Sequence, residues 1–270
     1  MSSLRLAVLG NPVAHSLSPV IQRAALDFAG IDGTYVRREV DGRGMEKAAA
    51  EIRTGRLDGA NVTMPHKSLA ASLADVRSEV VRRCGGANTL WMEGGRLRAH
   101  TTDPDGVRFA WAHASLPDDA PVLLLGAGGA AAAALTALED RPVTVSARRE
   151  EAATTLVERV APGVPVVSWG RSVPGAVVVN ATPLGLAGGM LPGAVIADAA
   201  GLLEMNYGNG DTPAAVSLRA RGLPVAEGEL MLVGQGAASF SIWTGVDVTP
   251  TVMLAALDAR RRDRRSAERR

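Results

Sequence analysis

The stretch Val122-Leu-Leu-Leu-Gly126-Ala-Gly128-Gly129, followed by the alanines Ala130–Ala134, decides the fold of this chain. It reads as a short apolar strand, a glycine turn and the start of a helix of small residues. With Ala131 in the last small position it fits the G-x-G-x-x-G/A pattern of a dinucleotide-binding βαβ unit. Small residues let the backbone approach a pyrophosphate, and the helix N-terminus offers unpaired N–H groups at the positive end of its dipole. Downstream, Pro142-Val-Thr-Val145 supplies the second strand that such a unit requires.

Outward from this unit, strands alternate with helices. On the N-terminal side, Leu4–Leu9 reads as a strand that breaks at Gly10-Asn-Pro12. Ser18-Pro19 starts a helix, with Ser18 as N-cap and Pro19 at the first helical position, ending near Gly30. Thr34–Val40 is a strand, Met45–Arg53 a helix, and Leu57–Thr63 a strand that Pro65 stops. Short helices fill Ser68–Cys84. The glycine pair Gly94-Gly95 joins Asn88-Thr-Leu-Trp-Met to Arg96–Thr102 as a hairpin and an antiparallel edge. Asp103-Pro-Asp-Gly106 has turn chemistry and marks a domain change before a helix over Val107–Ala114. Beyond the glycine turn, strands are expected at Pro165–Ser168, Ala176–Asn180, Val195–Ala197 and Leu223–Ala226. A helix over Leu230–Thr244 follows, and a last one opens at Thr249-Pro250 and runs into a frayed, solvated arginine-rich end. The pattern predicts an α/β protein of two domains flanking a cleft. Residues 1–105 and 240–270 form an α/β domain with a mostly parallel sheet, and 106–239 form a Rossmann domain.

Composition limits the function. The 270 residues carry a net charge of +1 and 21% charged side chains, so nothing draws the chain to nucleic acid or to a membrane surface. One cysteine, Cys84, excludes an internal disulfide and suits a reducing compartment. The apolar run at the N-terminus is too short for a signal peptide or a span, and a cytoplasmic protein is expected. His15, His66, His100 and His113 lack metal-ligand spacing, so no metal is expected. Of the 29 basic side chains only Lys47 and Lys67 are lysines. Lysine can give up its proton where arginine cannot. Lys47 lies in an amphipathic helix, whereas Lys67 follows a strand end; taken alone, it reads as a surface lysine.

Seven segments in order resemble the shikimate dehydrogenase family, whose members reduce 3-dehydroshikimate to shikimate with NADPH. They are Gly10-Asn-Pro-Val-Ala-His-Ser16-Leu-Ser18-Pro19, Gly59-Ala-Asn61-Val-Thr63-Met-Pro65-His-Lys67, Ala87-Asn88-Thr89-Leu90, Thr102-Asp103, Gly126-Ala-Gly-Gly129, Asn180-Ala-Thr-Pro-Leu-Gly185 and Gly228-Glu-Leu-Met231-Leu-Val-Gly-Gln235. The resemblance implies that Ser16 and Ser18 hold a substrate carboxylate and that Asn61, Thr63, Asn88 and Gln235 serve its ring. Hydroxyls and amides are the inventory that a polyhydroxylated ring acid needs. It implies a catalytic pair, Lys67 and Asp103, that handles the proton as hydride reaches the ketone carbon. It also brings Tyr207 near the substrate and Met231 to the nicotinamide side, although each also reads as a packing residue. For the cofactor it implies NADP, held by Gly126, Ala127, Gly128, Gly129, Ala130 and Thr182. Arg148 and Arg149 stand where an NAD enzyme would carry an acid for the ribose hydroxyl, and arginine suits a 2′-phosphate.

The chain departs from the family pattern at three places. Ile21-Gln-Arg stands where the family has His-Asn, Thr101 precedes Thr102-Asp103 in place of asparagine, and Ala147 and Arg149 replace the asparagine and threonine that flank the arginine matched by Arg148. These leave quinate or an amino-shikimate as alternative substrates, and a ligand-sensing homologue without turnover as a third. The partners expected are a small-molecule substrate alone, with the protein a monomer or homodimer.

Overall fold

The computed structural model describes residues 3–185, 189–207 and 210–268, with the side chains of 264, 265, 267 and 268 left aside. The chain divides into two compact units, Met1–Thr102 with Val233–Arg270, and Asp103–Leu232.

In the first unit the elements run β1 (Leu4–Gly10), α1 (Ser18–Ala29), β2 (Gly33–Glu39), α2 (Gly42–Arg53), β3 (Gly59–Val62), α3 (Lys67–Leu73), β4 (Val76–Arg77), α4 (Glu79–Cys84), β5 (Thr89–Glu93) and β6 (Arg96–His100). They form a six-stranded sheet in the order β2-β1-β3-β5-β6-β4. Strands β2, β1 and β3 are parallel, β3 pairs antiparallel with β5, and β5 with β6. The glycine-paired hairpin therefore does not form the edge. That place belongs to β4, a two-residue strand inside the run read as helical. Asp75 explains it: its backbone N–H donates to the Leu97 carbonyl at 2.9 Å, and its carboxylate accepts from Leu97 N at 2.8 Å. Both contacts tie the chain to β6. The core on one face gathers Leu9, Met45, Ile52, Leu57, Leu90 and Leu97. Helix α1 differs from expectation at its start: Leu17 is the N-cap and Ser18 is already helical.

The second unit holds α5 (Asp103–His113), β7 (Val122–Leu125), α6 (Gly129–Ala137), β8 (Val143–Ser146), α7 (Glu150–Val160), β9 (Val166–Val167), β10 (Val177–Asn180), α8 (Gly193–Ala197), β11 (Gly201–Glu204), α9 (Pro213–Ala220) and β12 (Val225–Ala226). Its sheet order is β12-β11-β10-β7-β8-β9, with every pairing parallel. Counted within the unit, this is the doubly wound Rossmann order, whose strand sequence reverses between β7 and β10. Strands β7, β10 and β11 are buried along their whole length, as parallel strands covered on both faces must be.

Two readings are corrected here. Val195–Ala197 belongs to a helix, α8, and the strand is Gly201–Glu204. Asp103-Pro-Asp-Gly106 is not a free turn but the first turn of α5. Helix α10 (Gly228–Thr244) carries the chain from the second unit back into the first, and α11 (Pro250–Glu268) packs on α1. Helical geometry persists through the arginine-rich segment to Glu268.

Candidate active site

In the first unit, a buried polar cluster forms where β3, β5 and β6 meet α10. Asn61 on β3 sits opposite Thr89 in the antiparallel register. The Asn61 Oδ1 atom accepts from the Tyr35 hydroxyl at 2.7 Å, and its Nδ2 donates to the Asn88 carbonyl at 3.0 Å and to Ser239 Oγ at 3.0 Å. Asn88 lies just before β5. Its Nδ2 donates to Thr102 Oγ1 at 3.0 Å and Gln235 Oε1 at 3.1 Å. Its Oδ1 accepts from Thr102 N at 2.9 Å and Thr89 Oγ1 at 2.8 Å. An amide has two protons and two acceptor sites, so Asn88 is satisfied entirely by protein. Ser239, one helical turn beyond Gln235, donates to the Gln235 carbonyl at 2.9 Å.

The cluster thus brings together Asn61, Asn88 and Gln235, and adds Tyr35, Thr89, Thr102 and Ser239. The sequence held a signal for Ser239, which lies four residues after Gln235 and so on the same helix face. Tyr35 carried a weaker one, as a buried aromatic on an otherwise polar strand.

Ser16 and Ser18 form a second group at the start of α1. Ser16 Oγ lies 3.2 Å from Ser18 Oγ and accepts from Ser18 N at 3.3 Å. Ser18 makes no capping bond, which corrects its reading as N-cap; it turns its hydroxyl to Ser16 at the positive end of a 12-residue helix. Arg37 donates to the Ser16 carbonyl at 2.9 Å through Nε, a cation the motifs did not reveal.

The turn after β3 carries Thr63 and Lys67. Thr63 N donates to the Leu9 carbonyl at 2.8 Å. A side chain on Gly10 would meet Thr63 Cγ2 at 2.4 Å, so glycine is required for this close approach. Lys67 is the first residue of α3, half-buried, and its carbonyl accepts from Ala87 N at 2.9 Å, beside Asn88 in the chain. Asp103, buried, opens α5 in the second unit and follows Thr102 directly. Tyr207 also belongs to the second unit, half-buried three residues beyond β11. Met231 is half-buried on α10.

In the second unit the glycine turn has the geometry that its spacing predicts. Gly126 has φ +120°, and a Cβ there would stand 2.7 Å from the Ala181 carbonyl oxygen. Gly128 is the N-cap of α6, and Gly128 and Gly129 are exposed with Ala127 and Ala130 half-buried beside them, while Ala131 is fully buried. A solvent-facing helix N-terminus with small residues at the turn fits a pyrophosphate. Beside it lies a cavity of about 720 Å³ lined by Ala127, Arg149, Glu150, Glu151, Thr155 and Arg159, among others. Arg148 and Arg149 are both exposed, and of the two it is Arg149, the N-cap of α7, that lines this cavity. Thr182 sits in the turn after β10, its N–H and hydroxyl donating to Asn180 Oδ1 at 3.1 and 2.7 Å.

Glu204, which the motifs did not single out, closes β11 next to this turn. It is buried, and desolvation pushes its carboxyl above the usual range while hydrogen bonds from Asn180, Asn206 and Thr212 oppose the shift. Among the described residues no group of three His, Cys, Asp or Glu converges as a metal site, and no helix is long and apolar enough to cross a membrane.

A Rossmann unit with this turn, joined to an α/β unit holding a buried cluster of amides and hydroxyls, defines a dinucleotide-dependent oxidoreductase. Residues 8–90 match the shikimate dehydrogenase substrate-binding domain and residues 228–257 the shikimate 5′-dehydrogenase C-terminal domain. The shikimate dehydrogenase (NADP(+)) of Anaeromyxobacter dehalogenans strain 2CP-1 is 39% identical over 266 residues, covering 94% of this chain and 95% of that protein. The chain belongs to the shikimate dehydrogenase family. The crystal structure of shikimate 5-dehydrogenase from Thermus thermophilus in complex with NADP(H) and shikimate superposes with a TM-score of 0.88 at 34% identity, covering 96% of this chain and 99% of that one. The ligand-free 5-ketofructose reductase of Gluconobacter sp. strain CHM43 shares the fold at 25% identity, with a TM-score of 0.85 over 96% of this chain and 99% of that one.

Proposed function

We propose that this protein catalyses the reversible NADP-dependent reduction of 3-dehydroshikimate to shikimate. The observation that carries the reading is the joint presence of the amide–hydroxyl cluster in one unit and, in the other, a dinucleotide turn beside a cavity lined by Arg149. NADPH, when bound, supplies the hydride. Gly126, Ala127, Gly128, Gly129 and Ala130 would hold its pyrophosphate with Thr182 beside them, Arg149 and Arg148 its 2′-phosphate, and Met231 would line the nicotinamide side.

Ser16 and Ser18 take the substrate carboxylate at the N-terminus of α1, where hydroxyls and helix N–H groups all donate. Asn61, Thr63, Asn88 and Gln235 serve the ring hydroxyls, with Tyr207 nearby. Because Asn61 and Asn88 already bond to protein groups, a ring hydroxyl binds here by exchanging with one of those partners. Lys67 gives its proton to the ketone oxygen as negative charge develops on it, and Asp103 orients the lysine and the reacting oxygen. In the oxidative direction Lys67 takes that proton back. The single buried free cysteine, Cys84, agrees with a cytoplasmic setting, and the enzyme works as a monomer or homodimer.

The test is steady-state nicotinamide absorbance with shikimate and quinate, each against NADP+ and NAD+. Rapid reduction of NADP+ with shikimate alone is expected. Preference for quinate would locate a changed specificity at Gln22 or Thr101. Preference for NAD+ would remove the role given to Arg149. The kinship with a ketofructose reductase makes 5-ketofructose with NADPH a useful control, and slow turnover of it relative to 3-dehydroshikimate is expected.

A further inference from the structure

Glu204 gathers donors from three separate segments. Asn180 Nδ2, at the end of β10, donates to its two carboxylate oxygens at 2.9 and 3.0 Å. Asn206 donates to Oε1 twice, through the backbone N–H at 3.1 Å and Nδ2 at 2.8 Å. Thr212, the N-cap of α9, reaches Oε2 at 3.2 Å through Oγ1, which also accepts from Ala215 N at 3.2 Å. The Thr212 hydroxyl therefore caps the helix with its oxygen and donates its proton to Glu204. Every partner is a donor, so the hydrogen bonds all favour the ionised carboxylate, against the burial that pushes its pKa upward.

The consequence is felt in the turn carrying Thr182. With Asn180 Nδ2 turned to Glu204, its Oδ1 faces Thr182 and accepts from both the N–H and the hydroxyl. Asn206 Nδ2 donates onward to the carbonyls of Thr182 at 2.8 Å and Leu184 at 3.1 Å. The same turn presents the Ala181 carbonyl to Gly126. We propose that Glu204 is a positioning residue for the cofactor, holding the 180–184 turn against the glycine turn through the amides of Asn180 and Asn206. This rests on the reading that Thr182 and the glycine turn hold NADP.

Replacing Glu204 by glutamine keeps the shape but sets one NH₂ group among partners that all donate. Direct titration with NADP+ should show affinity for E204Q weakened roughly ten-fold, the scale of a lost charge-assisted hydrogen bond. The KM for shikimate should stay within about two-fold of the parent, since a cofactor-positioning role separates the two. A fall in thermal stability with unchanged NADP+ affinity, or an equal rise in both constants, would overturn the proposal. Thr182→Ala separates the two layers of the argument. Unchanged NADP+ affinity in T182A would remove the underlying reading of the turn; weakened affinity in T182A with none in E204Q would remove only the role of Glu204.

Discussion

The two units each tie strand ends to a neighbouring loop with buried polar groups, yet the chemistry of the two knots is opposite. Around Asn61 and Asn88 every member is a neutral amide or hydroxyl, and Tyr35, Thr89, Thr102 and Ser239 can each donate or accept. Around Glu204 a single carboxylate faces only donors. A neutral network can rotate a hydroxyl and admit a new partner at small cost, which suits the recognition of ring hydroxyls. A carboxylate among donors has one satisfied arrangement, which suits a turn that must keep its shape. The first knot is adaptable and the second fixed.

Substitutions can break this contrast, and the largest effect belongs to Lys67. Lys67→Ala should lower kcat by roughly 10²–10⁴-fold, the usual worth of general acid–base assistance, while shikimate still binds in an equilibrium titration. Near-parental turnover in that variant would remove Lys67 from the chemistry. Next, Asn88→Ala leaves the Thr102 N–H and the Gln235 amide without their partner and should destabilise the fold by roughly 2–3 kcal/mol. In kinetics the shikimate KM should rise roughly ten-fold or more with NADP+ affinity unchanged. Equal damage to both constants would mean that the two knots do not divide the labour.

Arg149→Ala comes third, with a roughly ten-fold loss of preference for NADP+ over NAD+ and little change in kcat with NAD+. Arg148→Ala, made beside it, should do less, because Arg148 does not line the cavity next to the glycine turn. The reverse ranking would correct the assignment.

The smallest effect concerns a carboxylate outside this comparison, the solvent-facing Asp75. Hydrogen bonding to the Arg53 guanidinium, then to the Leu97 N–H, lowers its pKa from 3.8 to about 2. A depressed value means stability that is present above the ordinary value and lost as pH falls from 3.8 toward about 2. Asp75→Asn should flatten the thermal unfolding midpoint across that window and leave it sloping elsewhere. Glu204, raised by burial, runs the other way: its ionised form costs the native state, so its contribution to stability improves as acid protonates it.

Much of this was legible in the sequence, and the misses share a physical cause. The glycine turn was readable because Gly126 must hold φ +120° against the Ala181 carbonyl, a demand that leaves a mark at one position. Val195–Ala197 misled because a short apolar run has no period of its own. The true strand, Gly201–Glu204, ends in an acid that disguises its complete burial. Asp103-Pro-Asp-Gly106 was ambiguous because acids and proline serve a turn and a helix's first turn equally well. Ser18 reads as a cap in sequence because its partner, Ser16, is visible only once the loop before α1 is folded. The Glu204 knot was invisible for the same reason, since its donors come from segments up to 24 residues away.

The most direct test of the whole account is the oxidation of shikimate by the purified protein with NADP+, followed by nicotinamide absorbance beside Lys67→Ala. The account predicts rapid formation of NADPH by the parent protein and a rate lower by orders of magnitude in the variant. Binding of both ligands by the parent without turnover, or equal rates with and without Lys67, would contradict it.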